Sequence, residues 1–410
     1  MEIVLKHPRV ALLIATMDTK GQEALFIAEC LQKENIPLKI MDAGIKGKSP
    51  VPVDITREEV ASAGGKTLTD VQNIGHEGKA LGFMTAGAIK CARELYRQHK
   101  IHGIISLGGS MGTTLGTGVM RTFPVGFPKV MISTMASRDT RAFVGTKDIL
   151  MLHSVCDLAG LNRITKMVLG NGARALAGML HSTAESVSSD KPLVFLSTLG
   201  TTEVCAQSVR ASLEKKGKEV VIFHTVGSGG RAMEEMLGDE NVTLVVDLSL
   251  HEIADNRFGG DYDAGPHRGS VALEKTIPTI LVTGNIDFLV TGPLDTAKRR
   301  FPEREYHSHN AAITVVRTTQ EEIKKLGRTM AALANKAKGP LAILVPMGGF
   351  SAFDSPEGPL PDPEAPELFA EVLKEKLSPD VNLKLLPHHI NDPEFARAII
   401  EALDDLEGAK

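Results

Sequence analysis

A chain of 410 residues that is 42% hydrophobic can bury a large core and is long enough for two domains. Its net charge of −4, its lack of Trp and its three Tyr leave no basic or aromatic footprint for nucleic acid, and no apolar run approaches the roughly 18–20 residues that cross a bilayer. Cys30, Cys91, Cys156 and Cys205 form no Cys-x-x-Cys pair and no signal-peptide pattern precedes the first strand, so a reduced, cytoplasmic protein is expected.

The first element is Val10–Ala15, a continuous apolar run of the kind that a parallel sheet covers on both faces. The turn Asp18-Thr19-Lys20-Gly21 follows, with Thr19 and Gln22 spaced as a capping box, and then a helix with Ala24, Leu25, Ala28 and Leu31 on one stripe. The second strand, Leu38–Met41, closes on Asp42. Residues 45–79 read as a long polar insertion, a candidate flap. The third strand, Ile101–Leu107, runs into Gly108-Gly109-Ser110-Met111-Gly112-Thr113, and the fourth is Lys129–Ile132 after Pro128.

The third strand's turn carries the strongest chemical signal. Glycines let backbone N–H groups approach an anion, and the helix that follows adds the positive end of its dipole. It is not a Walker A loop, because no Gly-Lys-Ser/Thr ends it.

The second half repeats the order. Pro192–Leu196, Val220–Phe223, Val242–Asp247 and Thr279–Val282 after Pro278 are its strands, and the polar stretch 182–191 is the expected linker. The expected fold class is therefore α/β, with two Rossmann-like, doubly wound parallel-sheet domains over residues 1–187 and 188–410 and an internal duplication as their origin. In such sheets the chain reverses direction between strands one and three, and ligands bind at the carboxyl ends there. In half one that rule brings together the Asp18–Gly21 and Gly108–Thr113 turns. Lys20 then supplies positive charge, Asp18 either holds a magnesium ion or caps a helix, and Asp42 accepts ribose hydroxyls.

In half two, Gly227-Ser-Gly229-Gly230-Arg231-Ala232 matches G-x-G-x-x-A, with Asp247 about 20 residues on, as in a dinucleotide fingerprint. The loop follows the second strand of its unit rather than the first, so an anion pocket using Arg231 is the expectation. Arg268, Arg304 and Arg317 suit a carboxylate or phosphate through paired hydrogen bonds. His307-x-His309 is a weak metal signal and no metal ligand is assigned. The proline-rich segment 353–366 reads as an ordered surface loop or a lid, and Asp392-Pro393 as the start of the last helix.

As a set, several stretches resemble the uncharacterised family described as the Tm-one-like ATP-binding domain, after the N-terminal region of the tomato mosaic virus resistance protein. They are Asp18–Gly21, Gly108–Thr113, Ser133–Ser137, Asp148-Ile149, Phe223-His224, Gly227–Met233, Glu252 with Asp255, Ala264–Pro266, His309-Asn310, Arg317–Thr319 and Ile390–Asp392. The resemblance covers nearly the whole chain. It implies two Rossmann-like domains, self-association as a homodimer or higher oligomer, and ATP bound in the first domain, with Ser133 and Ser137 adding to the two turns. Gly284–Phe288 and the residues Val226 and Ser228 depart from the family pattern.

The expectation is an ATP-binding protein. Its leading form is an enzyme using ATP and Mg2+ on a small anionic metabolite in an interdomain cleft, with no nucleic-acid or membrane partner. Glu252, Asp255 or His309 would act as base, and Gly229, Gly230, Arg231, Arg268 and Asn310 would hold the metabolite. The alternative is a non-catalytic, ATP-regulated module that recognises a protein. A nicotinamide-dependent oxidoreductase using Gly227–Ala232 is the third reading.

Overall fold

The computed structural model describes residues 8–181 and 189–408, and the chain divides into two compact units, Met1–Val187 and Ser188–Lys410. The expected linker lies for the most part outside the described residues. Among the described residues no helix is long and apolar enough to cross a membrane.

Unit 1 runs β1 (Ala11–Ala15), α1 (Met17–Lys33), β2 (Leu38–Asp42), α2 (Arg57–Ala63), α3 (Leu68–Gln72), α4 (Glu77–Arg97), β3 (Gly103–Gly108), α5 (Ser110–Met120), β4 (Lys129–Ser133), α6 (Arg141–Val144), β5 (Leu150–His153) and α7 (Arg163–His181). Its five strands are parallel in the order β2-β1-β3-β4-β5. Side chains alternate along a strand, and here both faces are covered, so β1 is buried at every position. Leu12 and Ile14 pack with α2, α4 and α5, through Val60, Met84, Ala88, Leu115 and Val119. Ala11 and Leu13 face α1 and α7, through Ile27, Leu31, Leu169 and Leu176. Each such leucine or isoleucine removed from water contributes about 1.5–3 kcal/mol.

Unit 2 runs β6 (Leu193–Thr198), α8 (Glu203–Lys215), β7 (Glu219–His224), α9 (Ser228–Asp239), β8 (Val242–Ser249), α10 (His251–Phe258), α11 (Val271–Glu274), β9 (Thr279–Gly284), β10 (Phe288–Thr291), α12 (Leu294–Arg300), β11 (Tyr306–Asn310), β12 (Ile313–Arg317), α13 (Gln320–Ala334), β13 (Leu341–Pro346), α14 (Ala365–Lys376), β14 (Asn382–Leu386) and α15 (Pro393–Gly408). The parallel sheet has the order β7-β6-β8-β9-β13-β14, so its first four strands follow the strand order of unit 1. α8 and α15 cover one face; α9, α11, α13 and α14 cover the other.

Three local expectations change. Thr19 and Gln22 form no capping box. Helix α1 starts after Thr16, its first turn breaks at Lys20 (φ −124°, ψ 17°), and Thr19 Oγ1 sits 2.9 Å from Thr16 Oγ1. The insertion is no polar flap, because it folds into α2, α3 and the start of α4. Two capping boxes, Thr56 with Glu59 and Thr67 with Asp70, start the first two of these helices. A small antiparallel sheet, β10-β12-β11, was not anticipated from the sequence. Segment 353–366 is an ordered loop whose Leu360 is buried, and Asp392-Pro393 does start α15.

Candidate functional site

Unit 1 contains a cavity of about 670 Å³ at the carboxyl ends of β1, β2 and β3. The ends of α1, α4 and α5 that open onto it are all N-terminal: Asp18-Thr19-Lys20, His76-Glu77 and Gly109-Ser110 line it. Each helix N-terminus carries a partial positive charge and N–H groups without intrahelical partners, so the three create a positive field in one place. In α5 the first intrahelical bond is Thr113 N–H to Gly109 O (2.8 Å), which leaves the amides of Ser110, Met111 and Gly112 ahead of it.

The glycines of this turn divide by role. A Cβ on Gly108 would lie 2.8 Å from Gly112 Cα, and one on Gly112 would lie 2.9 Å from Leu107 O. Those two let the helix sit close on the strand. A Cβ on Gly109 would meet only Thr134 Oγ1, at 3.8 Å. Gly109 is glycine at a place where the protein itself leaves room.

Lys20 lines the cavity and its ammonium donates to Leu158 O at 2.6 Å. Asp18 is no helix cap: Oδ2 accepts from Lys46 N–H at 2.9 Å, while Oδ1 is buried without a partner. Ala43, Ile45, Val71, Ala80 and Leu81 form apolar wall, and Gln72, Glu77 and Asp157 add polar groups. The insertion supplies much of this wall. Gln72, His76, Glu77 and Asp157 were not among the expected site residues; the Thr67-x-x-Asp70 capping signal places Gln72 on a helix, whereas α4 starts after His76 with no such signal.

Several expected contacts move away from the cavity. Asp42 is buried and its carboxylate is taken: Arg57 Nε and Nη2 donate at 2.9 and 2.5 Å, and Met17 N–H and Gly44 N–H at 3.1 and 2.8 Å. It cannot serve a ribose without breaking that set. Gly21 does not line the cavity but makes room for Pro50, whose Cγ a Cβ would meet at 2.7 Å. Thr113 and Ser133 are fully buried and bonded to each other (2.6 Å). Ser137 is exposed and does not line the cavity.

In unit 2 the expected catalytic and binding groups are mostly bonded to one another. Glu252 is fully buried; its Oε1 accepts from Gly227 N–H (2.6 Å) and Gly230 N–H (3.0 Å), so the glycine loop is filled by the protein's own carboxylate. A Cβ on Gly230 would lie 1.7 Å from Glu252 Oε2, and one on Gly229 would lie 1.8 Å from His224 O. Arg268 is buried too, with Nη1 and Nη2 on Asp247 (2.5 and 2.7 Å) and Nε on Glu252 Oε2 (2.7 Å). Burial opposes its charge, but Asp247, Glu252 and Glu234 hold its pKa far above the ordinary arginine value. Burial pushes the Glu234 carboxyl up, against the pull of Arg268.

These pairs bear on the expectation at Glu252, Arg268 and Asp255. Arg268 and Glu252 are paired within the protein, and in the dinucleotide fingerprint the Gly227 and Gly230 amides and the Asp247 carboxylate are already taken. Asp255 is buried and accepts from Tyr262 N–H (2.8 Å) and Val290 N–H (3.2 Å), with His251 Nε2 at 3.4 Å, so it is no free base. His309 and Asn310 lie exposed on β11, where Asn310 Oδ1 accepts from Ala312 N–H (2.9 Å); Arg231 is exposed on α9.

The fold and site define a two-domain α/β protein with one open glycine turn in its first domain and a self-filled one in its second. The chain belongs to the uncharacterised protein family UPF0261, whose N-terminal domain matches residues 9–185 and whose C-terminal domain matches residues 191–407. A UPF0261 protein of Clostridium tetani is 36% identical over 96% of this chain and 97% of its own length. The ToMV resistance protein Tm-1(GCR237) of Solanum lycopersicum is 33% identical over 96% of this chain and 55% of its own length. Among solved structures, UDP-GlcNAc 2-epimerase from Methanocaldococcus jannaschii shares 11% identity over 97% of this chain and 99% of its own, with a TM-score of 0.24, too low to transfer any ligand.

Proposed function

We propose that unit 1 binds ATP with magnesium in the cavity at the carboxyl ends of β1, β2 and β3. The observation that carries this reading is the Gly108–Gly112 turn, whose leading amides open onto the cavity beside Lys20 and two further helix N-termini. Phosphates suit that end, and the apolar wall of Ile45, Val71, Ala80 and Leu81 suits a flat base. The volume is within the range of roughly 300–1,000 Å³ that small-molecule sites span.

Magnesium needs one or two carboxylates alongside phosphate oxygens. Asp18, with Oδ1 buried and unpartnered, fits that demand. The ion would neutralise phosphate charge next to the Glu77 and Asp157 carboxylates.

With Glu252, Asp255 and Arg268 committed to internal pairs, the specific support is for nucleotide binding, and this favours the non-catalytic, ATP-regulated module that recognises a protein as a second reading over the enzyme acting on an anionic metabolite.

Calorimetric titration with ATP and magnesium tests the proposal on wild type, Lys20→Ala and Gly109→Ala. A loss of affinity of at least about tenfold in Gly109→Ala, with the fold intact by circular dichroism, supports the site. Binding indifferent to both substitutions overturns it.

A further inference from the structure

The carboxyl edge of the unit 2 sheet holds a buried pair of acids that nothing above has used. Asp287 follows β9 and Ser351 follows the neighbouring strand β13, and Ser351 Oγ donates to Asp287 Oδ2 at 2.7 Å. Asp287 is fully buried and its Oδ1 has no hydrogen-bond partner. Three residues after Ser351, the Asp354 carboxylate turns back to accept from Phe350 N–H (2.8 Å) and Ser351 N–H (2.9 Å). The segment from Phe350 to Leu360 is thus a strap. At one end it is fixed by these two acids, and at the other Arg317 Nη1 donates to Leu360 O. Between them Ala352 N–H donates to Thr201 O (3.0 Å), Phe350 O accepts from Asn285 N–H (3.0 Å) and the Phe353 ring packs on Phe288. The strap therefore sits on the turns that end β6 and β9, where parallel α/β sheets bind their ligands.

We propose that Asp287 and Asp354 form a proton-dependent latch: while Asp287 is protonated the strap Phe350–Leu360 stays docked, and its ionisation beside Asp354 releases the strap and uncovers Thr201 and Asn285.

The groups facing the pair set the sign. Burial, and then the negative charge of Asp354, push the Asp287 carboxyl up to about 7, against the pull of Arg317 and the Ser351 hydroxyl. On the far side of Asp354, His389 Nε2 lies 3.8 Å from Oδ1 and donates to Ser351 O (2.8 Å). Burial works against the His389 charge, but the Asp354 carboxylate, the Ser351 carbonyl and Asp392 hold its pKa above the ordinary value. A group that binds its proton more tightly in the docked state favours release as pH rises from its free value toward its docked one. For Asp287 that window runs from 3.8 to about 7.

Amide hydrogen exchange of the full chain between pH 5 and pH 8.5, corrected for intrinsic exchange rates, tests the latch at Phe350–Phe353. The expected result is protection that falls by up to about tenfold per pH unit below pH 7 and levels off above it. Asp287→Asn should flatten that profile; if that variant does not fold, Ser351→Ala, which removes a hydrogen bond that holds the Asp287 pKa down, should carry the fall in protection to higher pH before it levels off. Protection independent of pH in wild type, or an unchanged profile in a folded Asp287→Asn variant, overturns the proposal.

Discussion

Arg57 grips Asp42 through Nε and Nη2, at 2.9 and 2.5 Å, with both side chains buried and 15 residues apart in the chain. The same guanidinium donates through Nη1 to the carbonyls of Lys46 (2.7 Å) and Gly47 (2.8 Å), and Asp42 also receives Met17 N–H. One pair therefore fixes the end of β2, the loop that forms a wall of the cavity, and the start of α1.

Breaking a buried ion pair by removing one partner strands the other. Arg57→Ala should destabilise unit 1 by about 3–5 kcal/mol in urea denaturation. Arg57→Lys keeps the charge but not the fork that reaches Asp42 and two carbonyls together, and should recover only part of the loss.

The glycine turn of unit 1 predicts an ordering that stability alone can check. Gly112→Ala places a Cβ 2.9 Å from Leu107 O and should cost about 1–3 kcal/mol. Gly109→Ala meets nothing closer than 3.8 Å and should cost less, about 0.5–1 kcal/mol, from the poorer capping of α5 by alanine.

Arg268 neutralises a buried group of carboxylates in unit 2. Arg268→Met should cost about 3–5 kcal/mol, because Asp247 and Glu252 would remain buried without a counter-charge. Calorimetric melting of the full chain should record the loss.

Asp287 gives a pH signature. A carboxyl whose folded pKa is raised holds its proton more tightly in the folded state, so its contribution to stability is complete below pH 3.8 and is lost as pH rises toward about 7. Asp287→Asn should gain on wild type as pH rises across that interval. Equal pH dependence of the two proteins in chemical denaturation would contradict the burial argument.

The strands, the strand order of unit 1 and the convergence of the Asp18–Lys20 and Gly108–Gly112 turns on one cavity were legible because they depend on local pattern: uninterrupted apolar runs, glycines at strand ends and alternating element types. The polar pairings were not. Nothing near Asp42 in sequence announces Arg57, and Asp42 reads the same whether a ribose or a guanidinium meets it. Gly227–Ala232 misled for the same reason, since a glycine loop built around an external phosphate and one built around Glu252 share their spacing. The small sheet escaped because Phe288–Thr291 and Ile313–Arg317 are short apolar runs joined by a polar stretch with no hairpin turn signal.

The Glu252 carboxylate between the amides of Gly227 and Gly230 amounts to a tethered inhibitor. A covalently linked occupant acts at an effective concentration far above that of any free solute of similar intrinsic affinity. Free phosphate or a carboxylate metabolite competing for those amides would also have to leave Arg268 one counter-ion short. In unit 2 the glycine motif is therefore occupied by the chain's own carboxylate, whereas the corresponding turn of unit 1 lines a cavity.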